Sequence, residues 1–209
     1  MGQIKNIIFD LGGVIINLDI QKTIQEFNKL SSKSFETIYT QLQQSPIFDQ
    51  FDKGEISERD FFDSLKKALE NNVADEKIVF AWNAMLLDFP LHRLELLTKL
   101  KTKYRLFLLS NTNETHVTEL EKQLLATRGY QNLESFFEKV YYSCRMNMRK
   151  PDTTIFDFVM KENKLLAEET VFIDDSPQHV EGALKTGIKA VLLSKDKEVE
   201  SLLKDLSLI

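Results

Sequence analysis

Cysteine is almost missing from this sequence. Cys144 is the one cysteine among 209 residues, so no disulfide can form within the chain. With only three histidines beside it, the sequence also offers no recognisable zinc-binding spacing. A buried, unreactive thiol is the simpler interpretation of Cys144. A disulfide scaffold and a zinc-finger module are therefore excluded.

Long apolar runs and an excess of positive charge are missing as well. No apolar run approaches the roughly 18 to 20 residues that cross a bilayer, and the N-terminal residues lack the basic and apolar regions of a secretory signal. The 32 acidic residues outnumber the 27 basic ones, so the net charge of -5 repels phosphate backbones. We therefore expect a cytoplasmic protein that binds neither membranes nor nucleic acid.

The residues that are present indicate an α/β fold. Five short apolar segments predict strands, at residues 4–10, 105–110, 139–143, 170–174 and 189–193. Helical patterns separate the later strands, at residues 91–104, 114–126, 153–163 and 179–186. Strands that alternate with helices are typical of a parallel sheet covered on both faces. The predicted core is a Rossmann-like, doubly wound parallel sheet.

A long insertion separates the first two predicted strands. It spans about 80 residues, far more than a normal crossover connection. Apolar residues recur in it at helical spacing, as in Phe61, Phe62, Leu65 and Leu69. We predict an all-helical domain at residues 18–88, inserted into a core domain that residues 1–17 and 89–209 form.

Polar side chains follow four of the predicted strands, at the point where each strand ends. They are Asp10, then Ser110, Asn111 and Thr112, then Arg145, Arg149 and Lys150, and finally Asp174 and Asp175. Each group alone is ordinary turn or cap chemistry. Ligands of open α/β sheets bind beyond the carboxyl ends of the strands, however, so one crevice would gather all of these groups.

The adjacent carboxylates of Asp174 and Asp175 point to a cation. Two like charges at the end of an apolar strand are costly unless a cation or a buried base neutralises them. Mg²⁺ suits this need because it binds through one or two protein carboxylates, several waters and a substrate phosphate. We therefore predict Mg²⁺ as the cofactor.

These motifs resemble a known superfamily. Asp10-Leu11-Gly12-Gly13-Val14, Ser110-Asn111-Thr112, Lys150-Pro151 and Asp174-Asp175 are similar, in this order, to the four motifs of the haloacid dehalogenase-like hydrolases. The resemblance spans the chain, and the helical insertion resembles the family's C1-type cap. The strings around Asp10, Ser110 and Lys150 are most similar to the bacterial α-D-glucose-1-phosphate phosphatase branch.

The resemblance implies roles in phosphate hydrolysis. Asp10 would be the nucleophile that forms an aspartyl-phosphate intermediate. Lys150 would neutralise charge on the nucleophile and on the transferring phosphoryl group. The Ser110 hydroxyl and the Asn111 amide or backbone N–H would hold phosphoryl oxygens. The implied substrate is a small phosphorylated metabolite.

The resemblance also implies a metal site. Asp10, the main-chain carbonyl of Gly12, and Asp174 would ligate Mg²⁺, and Asp175 would either ligate it or orient a metal-bound water.

Gly12 departs from the family pattern. Phosphatases of the superfamily commonly carry a second Asp at this position, which serves as the general acid and base. Such a group is worth about 10² to 10⁴ in rate. We expect a substrate whose leaving group needs little protonation, such as a hexose 1-phosphate or an acyl phosphate. Low activity, or a different proton donor such as His179, are the alternatives.

Other interpretations stay open at this stage. A catalytically weak pseudo-enzyme could bind metal and a phosphorylated ligand in a regulatory role. Metal-free dehalogenation is a third function, although Leu11 stands where those enzymes carry an aromatic residue. Phe48, Phe51 and Asp52 of the insertion are candidates for contact with the leaving group, although aromatic residues at this spacing are more often core. We predict a monomer, since the sequence shows no heptad seam.

Overall fold

The computed structural model describes residues 3–31, 34–38 and 46–209. Its strands are β1 (Asn6–Phe9), β2 (Arg105–Ser110), β3 (Lys139–Tyr142), β4 (Thr170–Asp174) and β5 (Lys189–Leu192). All four pairings between them are parallel, in the order β3-β2-β1-β4-β5. The predicted doubly wound parallel sheet is therefore confirmed.

The helices fall into two groups along the chain. Those of the insertion are α1 (Ile20–Asn28), α2 (Ile47–Asp52), α3 (Glu58–Leu69) and α4 (Asp75–Asn83), and residues 35–38 are also helical. Those of the core are α5 (Leu91–Leu100), α6 (Glu114–Arg128), α7 (Thr153–Glu162), α8 (Pro177–Leu184) and α9 (Val199–Asp205). Among the described residues, none of these helices is long and apolar enough to cross a membrane.

The central strands are buried on both faces. Successive side chains of a strand point to opposite faces of the sheet. Ile7 and Phe9 of β1 accordingly pack in one apolar cluster, and Ile8 packs in another. Leu106 and Leu108 of β2 follow the first pattern. This double burial explains why these strands are continuous apolar runs rather than alternating ones.

The inserted helices have an apolar core of their own. Its buried members are Ile24, Phe27, Phe35, Ile38, Phe51, Phe61, Phe62, Leu65, Leu69, Ile78, Ala81 and Trp82. The rings of Phe51 and Phe61 stack with their centroids 4.0 Å apart. Helix α3 begins with a capping box, in which the Ser57 hydroxyl accepts from the backbone N–H of Asp60 and the Asp60 carboxylate accepts from the backbone N–H of Ser57.

The chain enters and leaves the insertion through two paired segments. The backbone N–H of Leu87 donates to the carbonyl of Asn17 at 3.1 Å, and that of Asp19 donates to Met85 at 2.9 Å. Leu18 and Leu86 form an antiparallel bridge between them. These contacts lie beside the predicted boundaries at residues 18 and 88, and the division into two domains stays a prediction.

Candidate active site

A buried lysine joins the ends of two strands. The Nζ of Lys150 donates hydrogen bonds to Oδ1 of Asp10 and to Oδ2 of Asp174, both at 2.6 Å. Its third donor reaches the carbonyl of Leu109 at 2.9 Å. The side chain of Lys150 is 0% exposed, so all three of its N–H groups are satisfied within the protein. Three of the predicted strand-end groups therefore meet at this point, whereas Arg145 forms an ion pair with Glu114 at 2.7 Å and does not line the cavity beside Asp10.

The local fold places each of these three side chains. Asp10 follows β1 directly, and its backbone N–H donates to the carbonyl of Ile173 in β4 at 2.9 Å. Asp174 is the last residue of β4. Lys150 reaches the same point from the loop between β3 and α7. Because β1 and β4 are parallel neighbours, their two carboxylates emerge side by side at the same edge of the sheet.

The carboxylates have opposite pKa shifts. Burial is the largest influence on Asp10 and raises its pKa to about 7, although Lys150 opposes the shift. Burial acts in the same direction on Asp174, but Lys150 and His179 outweigh it and hold its pKa at about 2. Burial and the neighbouring Asp174 raise the pKa of Asp175. A divalent cation bound here would favour the ionised form of all three carboxyl groups.

Three carboxylates come close enough to hold one metal ion. Oxygens of Asp10, Asp174 and Asp175 all lie within 4.8 Å of one another. Gly13 has a φ of +71°, and a Cβ there would lie 2.3 Å from Oδ2 of Asp175, so a glycine is required for this approach. An all-oxygen donor set suits a hard cation such as Mg²⁺. The chemistry of the site thus fits the predicted metal, while the part of the Gly12 carbonyl stays a prediction.

Asn111 is engaged in a way that its sequence position does not reveal. Its Oδ1 accepts from the backbone N–H of Lys150 at 2.9 Å, and its Nδ2 donates to the carbonyl of the same residue at 2.8 Å. The side-chain amide is therefore engaged through its oxygen and one of its two N–H groups, so the second amide N–H or the backbone N–H remains as the predicted phosphate contact of Asn111. Ser110 is buried beside it at the end of β2. Phosphate binding by these two residues stays a prediction.

An apolar side chain occupies the space beside Gly12, where the family pattern has a second acid. A Cβ at Gly12 would lie 2.5 Å from Cδ1 of Leu18. His179, the alternative proton donor, instead directs Nδ1 to both carboxylate oxygens of Asp174, at 3.1 Å each. His179 therefore contacts the metal-site carboxylate.

A cavity of about 580 Å³ lies between the strand ends and the insertion. Core residues that line it include Asp10, Ser110, Asn111, Arg149, Asp175 and His179, and insertion residues include Phe48, Asp49, Asp52, Trp82 and Met85. Phe51 does not line it, since its ring packs on Phe61 in the core of the insertion. A larger cavity of about 820 Å³ lies elsewhere, between α3, α4 and α6, and includes none of the strand-end groups.

Sequence reasoning names Arg149 and Asp52 as candidates but does not predict how the polar groups around the cavity pair with one another. Arg149 of the core forms ion pairs with Asp49 and Asp52 of α2. The indole Nε1 of Trp82 lies 3.4 Å from Oδ1 of Asn113, which caps α6. These partners are separated by at least 31 residues and share no periodic pattern, so only the assembled fold brings them together.

Comparison with known proteins agrees with the geometry. The family model described as haloacid dehalogenase-like hydrolase matches residues 7–193. The chain belongs to this family.

Two curated proteins that are similar to this chain are phosphatases. D-ribitol-5-phosphate phosphatase of Bacteroides thetaiotaomicron is 30% identical over 177 residues, which are 85% of each chain. A sesquiterpene phosphatase of Aspergillus oryzae is 25% identical over 191 residues, with 91% of this chain and 90% of the relative covered.

Solved structures of similar proteins match almost the whole chain. A HAD family enzyme of Bacteroides thetaiotaomicron is 37% identical, with a TM-score of 0.90 and coverage of 97% of this chain and 99% of that one. The wild-type form of the same enzyme in complex with magnesium and inorganic phosphate is 38% identical, with a TM-score of 0.87 and coverage of 95% and 98%. A HAD-like hydrolase of Porphyromonas gingivalis is 30% identical, with a TM-score of 0.87 and coverage of 98% of both chains.

These matches decide several sequence predictions. The superfamily resemblance is confirmed, and with it the prediction that the protein is a hydrolase. Mg²⁺ as the cofactor of this site is supported by the magnesium complexes of relatives and by the three carboxylates that meet in this chain. The assignment to the glucose-1-phosphate phosphatase branch stays a prediction.

Proposed function

We propose that the protein is a Mg²⁺-dependent phosphatase that hydrolyses a small phosphomonoester through an aspartyl-phosphate on Asp10. The observation that carries this proposal is the burial of Lys150 between Asp10 and Asp174, with Asp10 itself lining the cavity. A fully buried lysine that neutralises two carboxylates is suited to phosphoryl transfer, where charge must be balanced at close range. The names of the two phosphatase relatives support the same reaction class.

The residues of this chain account for the main steps. One oxygen of Asp10 accepts a hydrogen bond from Lys150, which orients the carboxylate. An Asp10 oxygen forms a bond to phosphorus as the bond from phosphorus to the leaving oxygen breaks, and the leaving oxygen takes up a proton from solvent water, since Gly12 supplies no acid. A water molecule then attacks phosphorus and releases a proton to solvent, the bond from phosphorus to Asp10 breaks, and inorganic phosphate and the free carboxylate of Asp10 result. Asp10, Asp174, Asp175 and the Gly12 carbonyl would hold Mg²⁺, which neutralises charge on the phosphoryl oxygens.

The inserted helices act as a cap in this proposal. Phe48, Trp82 and Met85 face the same cavity as Asp10, so the insertion forms a wall of the site. Exclusion of water strengthens the electrostatic interactions of the phosphoryl group. The insertion is therefore also the part of the chain that contacts the leaving group.

The proposed substrate is a phosphate of a sugar or a sugar alcohol. A hexose 1-phosphate fits the absence of an acid at Gly12, because an anomeric leaving group needs little protonation. The relative named for D-ribitol 5-phosphate acts on the ester of an ordinary primary alcohol. Polyhydroxylated leaving groups are common to both candidates, so the panel of substrates should span both ester types.

A phosphate-release screen tests the proposal. Purified protein with Mg²⁺ is expected to release phosphate from at least one sugar or sugar-alcohol phosphate, and a chelator or the Asp10→Asn variant should abolish the release. Stabilisation by these ligands without any turnover would instead favour the catalytically weak, regulatory alternative. Halide release that a chelator leaves unchanged would favour dehalogenation.

A further inference from the structure

The cavity above Asp10 has two chemically different walls. Leu18, Phe48, Trp82 and Met85 form an apolar wall. A polar wall consists of Asp52 at the C-terminal end of α2, Asn113 at the start of α6, and Arg149 next to Lys150. A leaving group that fills such a cavity combines a carbon skeleton with hydrogen-bonding groups along one side.

Asp52 is a carboxylate with too few donors. Its side chain is only 22% exposed. Nδ2 of Asn113 donates to Oδ1 at a long 3.3 Å, and Nη2 of Arg149 lies 3.8 Å from Oδ2, beyond hydrogen-bond distance. No other hydrogen bond to this carboxylate is formed within residues 3–31, 34–38 and 46–209. An ionised carboxylate can accept about four hydrogen bonds, so most of its capacity is unused.

The position of Asp52 is fixed by the core. Oδ1 of Asn113 accepts from the backbone N–H of His116 at 3.1 Å and faces the indole of Trp82, so Nδ2 must point toward Asp52. The hydroxyl of Ser143 lies 2.5 Å from the main-chain oxygen of Asp52. The same hydroxyl accepts from the backbone N–H of Thr112. These hydrogen bonds fix the position of the Asp52 carboxylate relative to the loop that follows β2.

A carboxylate in this state is costly in the free protein. Burial raises the pKa of Asp52 to about 6, and the hydrogen bond from Asn113 offsets only part of the shift. Titratable groups that line a cleft and whose pKa is shifted by burial are typical of functional sites. Hydroxyl groups of a bound molecule are the donors that this carboxylate lacks.

We propose that Asp52 determines specificity for the leaving group, because its carboxylate accepts hydrogen bonds from the hydroxyl groups of a sugar or sugar alcohol. This inference rests on the phosphatase function proposed above. A site built to bond a substrate hydroxyl rejects analogues that lack it, since its own polar group would then stay unpaired. The apolar wall packs against the carbon skeleton of the same substrate.

Three substrates and two variants test this inference. Ribitol 5-phosphate and glucose 1-phosphate carry hydroxyl groups on the leaving group, whereas phenyl phosphate carries none. Asp52→Asn should lower kcat/KM for the better polyol ester about 10- to 100-fold and change that for phenyl phosphate less than about threefold. Asp63→Asn is the matched control, because Asp63 is an exposed carboxylate of α3 outside this cavity. It should change neither rate.

The outcomes separate the two proposals. A wild-type enzyme that hydrolyses phenyl phosphate but no polyol ester, or an Asp52→Asn variant that loses the same factor on both substrates, overturns the role of Asp52 and leaves the phosphatase function standing. An Asp52→Asn variant whose kcat/KM is unchanged on every substrate also overturns the role of Asp52 and leaves the phosphatase function standing. Failure of the wild type with every ester overturns the phosphatase function itself. Circular dichroism melts of each variant exclude misfolding as the cause of a lost rate.

Discussion

The side chain of Asn111 forms two hydrogen bonds with the main chain of Lys150: its Oδ1 accepts from the Lys150 N–H at 2.9 Å, and its Nδ2 donates to the Lys150 carbonyl at 2.8 Å. Lys150 in turn reaches Asp10 and Asp174 with its side chain. The amide of Asn111 therefore fixes the backbone from which the buried ammonium group extends. Asn111, in the second motif, thereby positions Lys150, in the third.

The Asn111→Ala variant tests whether Asn111 positions Lys150 for catalysis in addition to stabilising the fold. Loss of both hydrogen bonds frees the backbone of Lys150, and we expect kcat to fall about 10- to 100-fold, with a loss of about 1 to 2 kcal/mol in the free energy of unfolding. Asn163→Ala is the control, since the Asn163 amide bonds the Tyr141 hydroxyl and the carbonyl of Val159, away from the cavity. Steady-state kinetics and urea unfolding check both variants. A similar loss of kcat in the control would contradict the positioning role.

The sequence predicts the sheet better than the helix ends. Strands β2 and β4 occupy residues 105–110 and 170–174 as predicted, because polar residues bound each apolar run. Helix α6 extends two residues past the predicted Ala126, since Gly129 has the left-handed φ of 75° that ends it. Helix α8 begins two residues before the predicted start, since Pro177 is well placed in a first helical turn.

The strand-end groups were also within reach of sequence reasoning, but their partners were not. Asp10 and Asp174 must meet once β1 and β4 are parallel neighbours. The pairing of Arg149 with Asp49 and Asp52 has no such rule, because it depends on how the insertion lies over the core. The use of the Asn111 amide on Lys150 likewise depends on the path of a loop 39 residues away.

Lys150→Met should destabilise the protein and abolish turnover. The substitution keeps the length of the side chain but leaves the carboxylates of Asp10 and Asp174 without their buried cation. Breaking a buried ion pair by removing one partner costs about 3 to 5 kcal/mol. Urea unfolding at pH 7 measures the loss.

Lys139→Met provides the matched comparison for this loss. Lys139 forms an ion pair with Glu162 in which both side chains are more than a third exposed. Surface pairs contribute about 0 to 1 kcal/mol. Equal effects of the two substitutions would show that the Lys150 cluster does not hold the strand ends together.

Alanine substitutions at the adjacent residues Gly12 and Gly13 should have different effects on the Mg²⁺ requirement. A Cβ at Gly13 meets the Asp175 carboxylate at 2.3 Å and is also strained by the φ of +71°. A Cβ at Gly12 meets only the end of the flexible Leu18 side chain, at 2.5 Å. Gly13→Ala should therefore raise the Mg²⁺ concentration needed for half-maximal activity by about tenfold or more, while Gly12→Ala changes it little. Magnesium titrations of activity that rank the two variants in the opposite order would exclude this account of Asp175.

Asp52→Asn should stabilise the protein at neutral pH, even as it impairs the proposed recognition of substrate. Burial raises the pKa of Asp52 from an ordinary 3.8 to about 6, so between these values the folded state keeps a proton that the unfolded state has released. The free energy of unfolding therefore falls as the pH rises through this window. Asparagine does not titrate, so the variant should be more stable than the wild type by about 3 kcal/mol at pH 7. At pH 3, where Asp52 is protonated in the folded state and largely so in the unfolded state, the difference should nearly vanish. Urea unfolding at both pH values checks the prediction, with Asp63→Asn as the exposed control that should show no such dependence. A wild type that is as stable as Asp52→Asn at pH 7 would mean that the carboxylate already has the hydrogen-bond donors for which a substrate hydroxyl is proposed.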